Sequence, residues 1–397
     1  MKKSSLLALS LFSLFLVSCH KNLPDAANVQ DYPGNSYPDL FEAFWNGMNT
    51  NYVFWSIDTT DWDAVYTHYK PLFAQLTTFD SNNETKAEQY FREMTAGLID
   101  SHYTLTFEST GNTFDPSLSR RLTTDTNYLA DSIFPARLLN NLISTSYIDS
   151  GSLVMGSDPV TLGNSNTSLT AIAGTVHHSI LYLYFSNFSI SQAAAHTTPV
   201  FNYFFSALQS MPGITGVVID LRGNPGGEVI DLDYVVGQLV NTQFAFGYTR
   251  SKGGPNRLDY TPWTPAIIKP WNGGTKVTAP IVVLTDHLST SMAEITTLAV
   301  KALPNGKVIG TRTWGATGPL APNVYYNGGE FTIGTPYWGN NGYLFTYTSA
   351  AMFKYLNGDI YEGVGVPPDI YARETQAAFD NSHDMVLDAA IQYIKAH

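Results

Sequence analysis

The sequence predicts an α/β fold preceded by a small helical unit, and three observations carry that expectation. The runs Ile180–Phe185, Gly216–Leu221 and Pro280–Thr285 are almost wholly apolar, which suits strands buried on both faces. Between and after them, Pro199–Met211, Glu228–Val240 and Thr290–Leu303 carry helical patterns, and strands alternating with helices argue for a layered α/β core. Upstream, apolar residues recur at three- and four-residue spacing from about Asp39 to Ile99, the mark of amphipathic helices.

Taken in order, Lys2 and Lys3 precede an apolar run from Leu6 to Val17 that is too short to span a bilayer and reads as a secretory signal. Leu16-Val17-Ser18-Cys19 then resembles a bacterial lipobox, with cleavage before Cys19 and lipidation of that thiol. Cys19 is the single cysteine of the chain, which excludes a disulfide framework and a thiolate zinc site. These features divide the chain into a signal over 1–18, a spacer over 19–38 and a helical domain over 39–103. A variable insert follows over 104–174, weakly patterned and rich in Ser, Thr and Asn, and then a core over 175–397. Within the core, Lys307–Thr311 reads as a strand, Asn323–Phe345 as hairpins with glycine turns, and Ser382–Ala396 as a closing helix.

Charge narrows the partners. Lys plus Arg number 21 against 33 Asp plus Glu, a net −12, with no basic run to follow a phosphate backbone, so no nucleic-acid partner is expected. The lipobox instead points to a membrane-tethered protein of the bacterial envelope, on the outer membrane, facing either the periplasm or the surface.

Two loops after buried strands attract attention. Asp220-Leu221-Arg222-Gly223-Asn224-Pro225-Gly226-Gly227 is either a tight connection or a backbone approach that aims N–H groups at developing negative charge. In Thr285–Ile295, Ser291 with Glu294 fits a helix capping box, yet a serine at a helix N-terminus also suits a nucleophile. Local pattern leaves those two readings open. His177-His178 sits where a strand should start, so the two rings would point to opposite faces and make a poor metal pair.

Together, these two loops and Glu362-Gly363-Val364-Gly365-Val366-Pro367-Pro368 resemble the signatures of the C-terminal processing (tail-specific) serine peptidases. The resemblance implies a spiral, crotonase-like β/α core, no metal or organic cofactor, a protein or peptide substrate, and Ser291 as nucleophile. The branch with a lysine base would carry that lysine at 316, where this chain has Ala316. The tricorn-core branch uses a histidine preceded by serine and a late glutamate acting through that serine to hold the imidazole, and these fall on His102, Ser101 and Glu362. It further implies an oxyanion hole from the N–H of Met292 and of Gly226 or Gly227. Ser289 stands as rival nucleophile, His287 as rival base, and Asp100 as an alternative orienting group for His102. A neutral imidazole would titrate near pH 6–7. Two other functions remain as rivals: a catalytically silent ligand- or peptide-binding lipoprotein on the same fold, and a glycan-binding lipoprotein drawing on its aromatic residues.

Overall fold

Each of the first three helices starts on a side chain that satisfies an otherwise orphaned N–H. In α1 (Tyr37–Asn51) Ser36 Oγ accepts from Asp39 N–H at 3.2 Å; in α2 (Trp62–Phe73) Asp61 accepts from Ala64 at 2.9 Å. In α3 (Ser81–Thr95) Asp80 accepts from both Asn82 and Asn83 at 3.0 Å. The computed structural model describes residues 33–124, 138, 141–143, 147–163, 165–320, 330–334, 342–375, 377–378 and 383–397. Cys19, the signal at 1–18 and the turn Asn327-Gly328-Gly329 lie outside the described residues.

The helices bury one aromatic face, with Phe41 stacked on Phe73 at 5.0 Å and Phe44 edge-on to Phe91 at 5.0 Å, pairs worth about 0.5–1.5 kcal/mol each beyond their area. A four-stranded antiparallel sheet closes that face. It is built from β1 (Thr104–Phe107) and β2 (Asn112–Phe114), followed in the chain by α4 (Pro116–Thr124), together with two strands from far downstream.

The central sheet begins with β3 (Val154–Leu162) and β4 (Ser165–Val176), which pair antiparallel with each other and then with β5 (Ile180–Phe185). The stretch 104–174, expected as one insert, is therefore divided between two sheets. His177 and His178 form the β4–β5 turn with φ of 51° and 61° rather than the start of a strand. The chain continues through α5 (Thr198–Ser210), β6 (Gly216–Asp220), α6 (Ile230–Val236), β7 (Phe244–Ser251), β8 (Thr264–Ile268), β9 (Ile281–Thr285), α7 (Met292–Lys301) and β10 (Gly306–Gly310). The helix expected over Glu228–Val240 is thus shorter, with a 3-10 turn over Gly237–Leu239. After β11 (Glu330–Ile333), β12 (Leu344–Tyr347), β13 (Ala351–Tyr355) and β14 (Ile370–Tyr371), α8 (Met385–Ala396) ends the chain.

The seven central strands lie in the order β14-β10-β9-β6-β5-β4-β3, and the ladders from β5 through β6, β9 and β10 to β14 are parallel. Period-2 alternation sends Leu181, Leu183, Val217 and Ile219 to the face covered by α5–α7, and Tyr182, Tyr184, Val218 and Val282 to the face covered by α8. The carboxyl ends of the parallel strands line up on one edge, where loops of α/β sheets carry their chemistry. β13, β7 and β8 form a separate three-stranded sheet.

One buried ion cluster fixes that edge. Arg222, fully enclosed, donates to Asp220 at 2.6–3.2 Å and to Asp384 at 2.7 and 2.8 Å. Asp384 is also the N-cap of α8, accepting from Leu387 at 2.8 Å, so one guanidinium joins the end of β6 to the last helix.

Candidate active site

Ser291 leaves β9 through Asp286–Thr290 and caps α7 with φ 56° and ψ −117°, backbone values that an L-residue adopts only under strain. Its neighbours enforce the conformation. Thr290 N–H donates to Asn224 O at 2.9 Å, and Gly226, at φ 92°, lies so close that a Cβ there would stand 2.7 Å from both Ser291 Cβ and Met292 N. That approach is what requires glycine at 226.

Glu294, one turn into α7, is completely buried and accepts from Ser291 N–H at 3.0 Å, Gly315 N–H at 2.6 Å, Ala316 N–H at 2.7 Å and Thr313 Oγ1 at 2.5 Å. The capping box of Ser291 and Glu294 expected from the sequence is thus present, and the carboxylate also binds the strap of chain 313–318. The Glu294 N–H also bonds the Ser291 carbonyl at 2.8 Å, and since a capping serine only accepts through its oxygen, the cap does not use the hydroxyl proton. Burial pushes the Glu294 carboxyl up, against the hydrogen bonds that favour its charge.

The far end of the strap is held by a second buried carboxylate. Glu362 accepts from Gly318 N–H at 2.7 Å, Thr317 Oγ1 at 3.2 Å and Ser101 N–H at 2.8 Å. Since Ala316 binds Glu294 and Gly318 binds Glu362, two residues of chain join the serine helix to the Ser101–His102 segment.

His102 reaches this place through strand register. Thr104 pairs with Tyr347 in the antiparallel β1–β12 ladder, and counting two residues outward on each strand sets His102 opposite Ser349. Their side chains meet at 3.4 Å, Nδ1 to Oγ. Ser349 Oγ donates to Asp100 Oδ1 at 2.9 Å, and Asp100 also accepts from His102 N–H at 2.9 Å and Ser349 N–H at 2.8 Å. A His102 ring nitrogen and one oxygen each of Asp100 and Glu362 lie within 4.8 Å of one another. Burial lowers His102 to about 4, below the expected 6–7 range; it raises Asp100 to about 6, and with the Asp100 charge raises Glu362 well above the carboxylate range.

Several sequence expectations change. The Ser101 hydroxyl is not bonded to Glu362: Ser101 gives Glu362 its backbone N–H, while its Oγ accepts from Ser117 Oγ at 3.2 Å. The Gly226 N–H is spent on Asn224 Oδ1 at 2.8 Å, because the glycine turn folds back on that side chain. Gly227 and Met292 N–H donate no hydrogen bond among those of the described residues. Ser289 is fully buried, donates to Leu221 O at 2.8 Å and accepts from Asp286 N–H at 3.0 Å, which disqualifies it as nucleophile. Ala316 is a buried residue of the strap itself, with its N–H on Glu294. Sequence reasoning missed Ser349, Thr313 and Asn224; only the β1–β12 register, visible once the strands are paired, would have pointed to Ser349.

Residues 179–372 match the profile of peptidase family S41, and residues 33–81 that of the tricorn protease C1 domain. Tricorn protease homolog 2 of Streptomyces coelicolor is 27% identical over 176 residues, 44% of this chain and 12% of that protein. The nisin-resistance protein of Lactococcus lactis is 26% identical over 172 residues, 41% of this chain and 48% of that protein. The chain thus spans less than half the length of these curated relatives. Among solved structures, a candidate peptidase from Parabacteroides merdae superimposes with a TM-score of 0.65 at 22% identity, over 91% of this chain and 97% of that one. Mature CPAF with lactacystin superimposes at 0.55 and 12% identity, over 91% and 98%. Both share the fold. With a serine on a strained helix cap at the carboxyl edge of that fold, and with two profiles along its length, the chain belongs to peptidase family S41, the C-terminal processing and tricorn-like serine peptidases.

Proposed function

We propose that the protein is a serine endopeptidase whose nucleophile is Ser291 and whose base is His102. The observation that carries this reading is the strained Ser291 backbone, pinned by Gly226 and Glu294 at a buried helix N-terminus, where the helix end favours a developing alkoxide. His102, kept neutral by burial, accepts the Ser291 proton as Oγ bonds to the peptide carbonyl carbon, and returns it to the leaving amine as the C–N bond breaks. The N–H groups of Met292 and Gly227 receive the oxyanion. Ser101 and Glu362 act behind the reacting atoms: the carboxylate grips the Ser101 backbone and the strap, which keeps the His102 segment against the serine helix.

The test is covalent. A fluorophosphonate should label wild type at Ser291, located by mass spectrometry, and should label neither Ser291→Ala nor His102→Ala at a comparable rate. Labelling at another serine, or none in folded wild type, overturns the assignment.

The signal and Cys19 add that this peptidase is lipid-anchored in the bacterial envelope, most consistently on the outer membrane. Cys19→Ser should move the protein from the membrane pellet to the soluble fraction; retention after a high-salt wash refutes the anchor.

A further inference from the structure

We propose that Ser349 and Asp100 are the positioning residues of His102, holding its ring as the Nδ1–H tautomer so that Nε2 carries the free lone pair. The inference rests on the reading of His102 as the base and replaces the Ser101–Glu362 pair in that orienting role.

The argument is one of proton count. A serine hydroxyl has one proton to give. Ser349 Oγ has two acceptors in reach, Asp100 Oδ1 at 2.9 Å and Gly318 O at 3.4 Å, and whichever takes the proton, the oxygen can only accept from His102 Nδ1. Nδ1 must then carry hydrogen, and a neutral imidazole leaves Nε2 bare. Asp100 fixes the partner as well as the ring: it binds the Ser349 N–H and hydroxyl on one side and the His102 N–H on the other. Both Ser349 and Asp100 are fully buried, so water does not compete for these bonds. The Ser101 hydroxyl makes its hydrogen bond with Ser117, and the Glu362 oxygens are bound by Ser101 N–H, Thr317 and Gly318.

During the reaction no proton travels along this relay. Nε2 gains the Ser291 proton and later gives it to the amine, while the imidazolium's Nδ1–H stays directed at Ser349, whose own proton stays directed at Asp100. The negative end of the relay steadies the cation. The other titratable groups around Asp100 are Glu362, Asp58, Tyr103 and Tyr52; the Tyr52 hydroxyl donates to Asp58 at 2.6 Å and accepts from Asp100 N–H at 3.2 Å.

Long-range ¹H–¹⁵N spectra of the histidine rings, assigned by loss of the His102 signal in His102→Gln, read the tautomer directly in unreacted protein. Wild type should show Nδ1–H, and Ser349→Ala should move His102 toward Nε2–H or a mixture. The same change should lower kcat on the order of 10–100-fold with KM nearly unchanged, the size of effect expected of a partner that orients a histidine without touching the reacting atoms. Asp100→Asn should lower kcat and shift the acid limb of the pH profile downward, a response that a merely structural residue would not produce. Nε2–H in wild type, or Ser349→Ala with both tautomer and kcat unaltered, overturns the inference. If Ser349→Ala does not fold, the wild-type spectrum and Asp100→Asn decide. Failure of fluorophosphonate labelling at Ser291 would count against the peptidase reading instead, since the tautomer is read without turnover.

Discussion

Gly226→Ala should disable the site and leave the rest of the molecule standing. The added Cβ would lie 2.7 Å from Ser291 Cβ, 2.7 Å from Met292 N and 2.8 Å from Thr290 O, all groups tied to backbone and unable to swing aside. Alanine at φ 92° brings a conformational penalty of about 1–2 kcal/mol, and overpacking against fixed atoms adds about 1–3 kcal/mol. Unfolding entropy of about 2.1 cal/mol/K per residue over 397 residues converts that loss into a fall in Tm of roughly 2–6 °C. The kinetic effect should be larger in proportion, because displacing a reacting group by about 1 Å reduces rate on the order of 10²-fold. Gly213→Ala is the control: its φ is 78° but a Cβ would meet nothing within 4 Å, so it should lose only the conformational part and label normally. Differential scanning calorimetry with stopped-time fluorophosphonate labelling measures both. A Gly226→Ala protein that labels as fast as Gly213→Ala would refute the claim that this contact shapes the nucleophile.

Ser291→Gly should abolish labelling yet raise stability by about 1 kcal/mol in urea titration, because glycine adopts φ 56°, ψ −117° without the strain serine bears; a less stable variant would show the backbone is not strained. The labelling rate should rise with pH in two steps, near 4 as His102 loses its proton and near 6 as Asp100 ionises and steadies the imidazolium, and a single limb at 6.5 would contradict both environments. In stability the two groups act oppositely: the lowered His102 contributes above its ordinary 6.5 and loses that contribution as pH falls through about 4, whereas the raised Asp100 contributes below its ordinary 3.8 and loses that as pH rises through about 6. Arg222→Met should cost about 3–5 kcal/mol, read as a lower urea midpoint, since it leaves Asp220 and Asp384 buried without their cation.

What the sequence disclosed depended on the range of each interaction. β5, β6 and β9 were legible because apolar content at every position reports burial on both faces, and α7 because its capping pattern is local. Ser291 was legible as one of two readings, and the φ and ψ on which its proposed role as nucleophile rests are contained in no pattern of residue types. The roles of Ser101 and Glu362 came from resemblance, and the contacts between them run through backbone N–H groups, which are invisible in a motif. Ser349 is separated from Asp100 by 249 residues, and nothing near Thr348-Ser349-Ala350 marks the serine until β1 and β12 are aligned. The strands β7, β8 and β13 went unread because their outer faces are mixed in polarity and lack a clean alternation.

The pairing of Thr104 with Tyr347 has a temporal meaning as well as a spatial one. It closes a loop holding every strand of the parallel ladder except β14, and non-local pairings of this kind form slowly because chain entropy must be lost before contacts compensate for it. His102, the proposed base, lies just before the first strand of that closure, and the glutamate that grips its segment lies beyond the second. A nascent chain that has finished the Ser291 helix but not yet emerged to Glu362 therefore holds the proposed serine and histidine without the downstream contacts that fix the histidine segment. On the proposed reading, peptidase activity would have to await β12 and Glu362, late in synthesis, whatever the state of the serine helix.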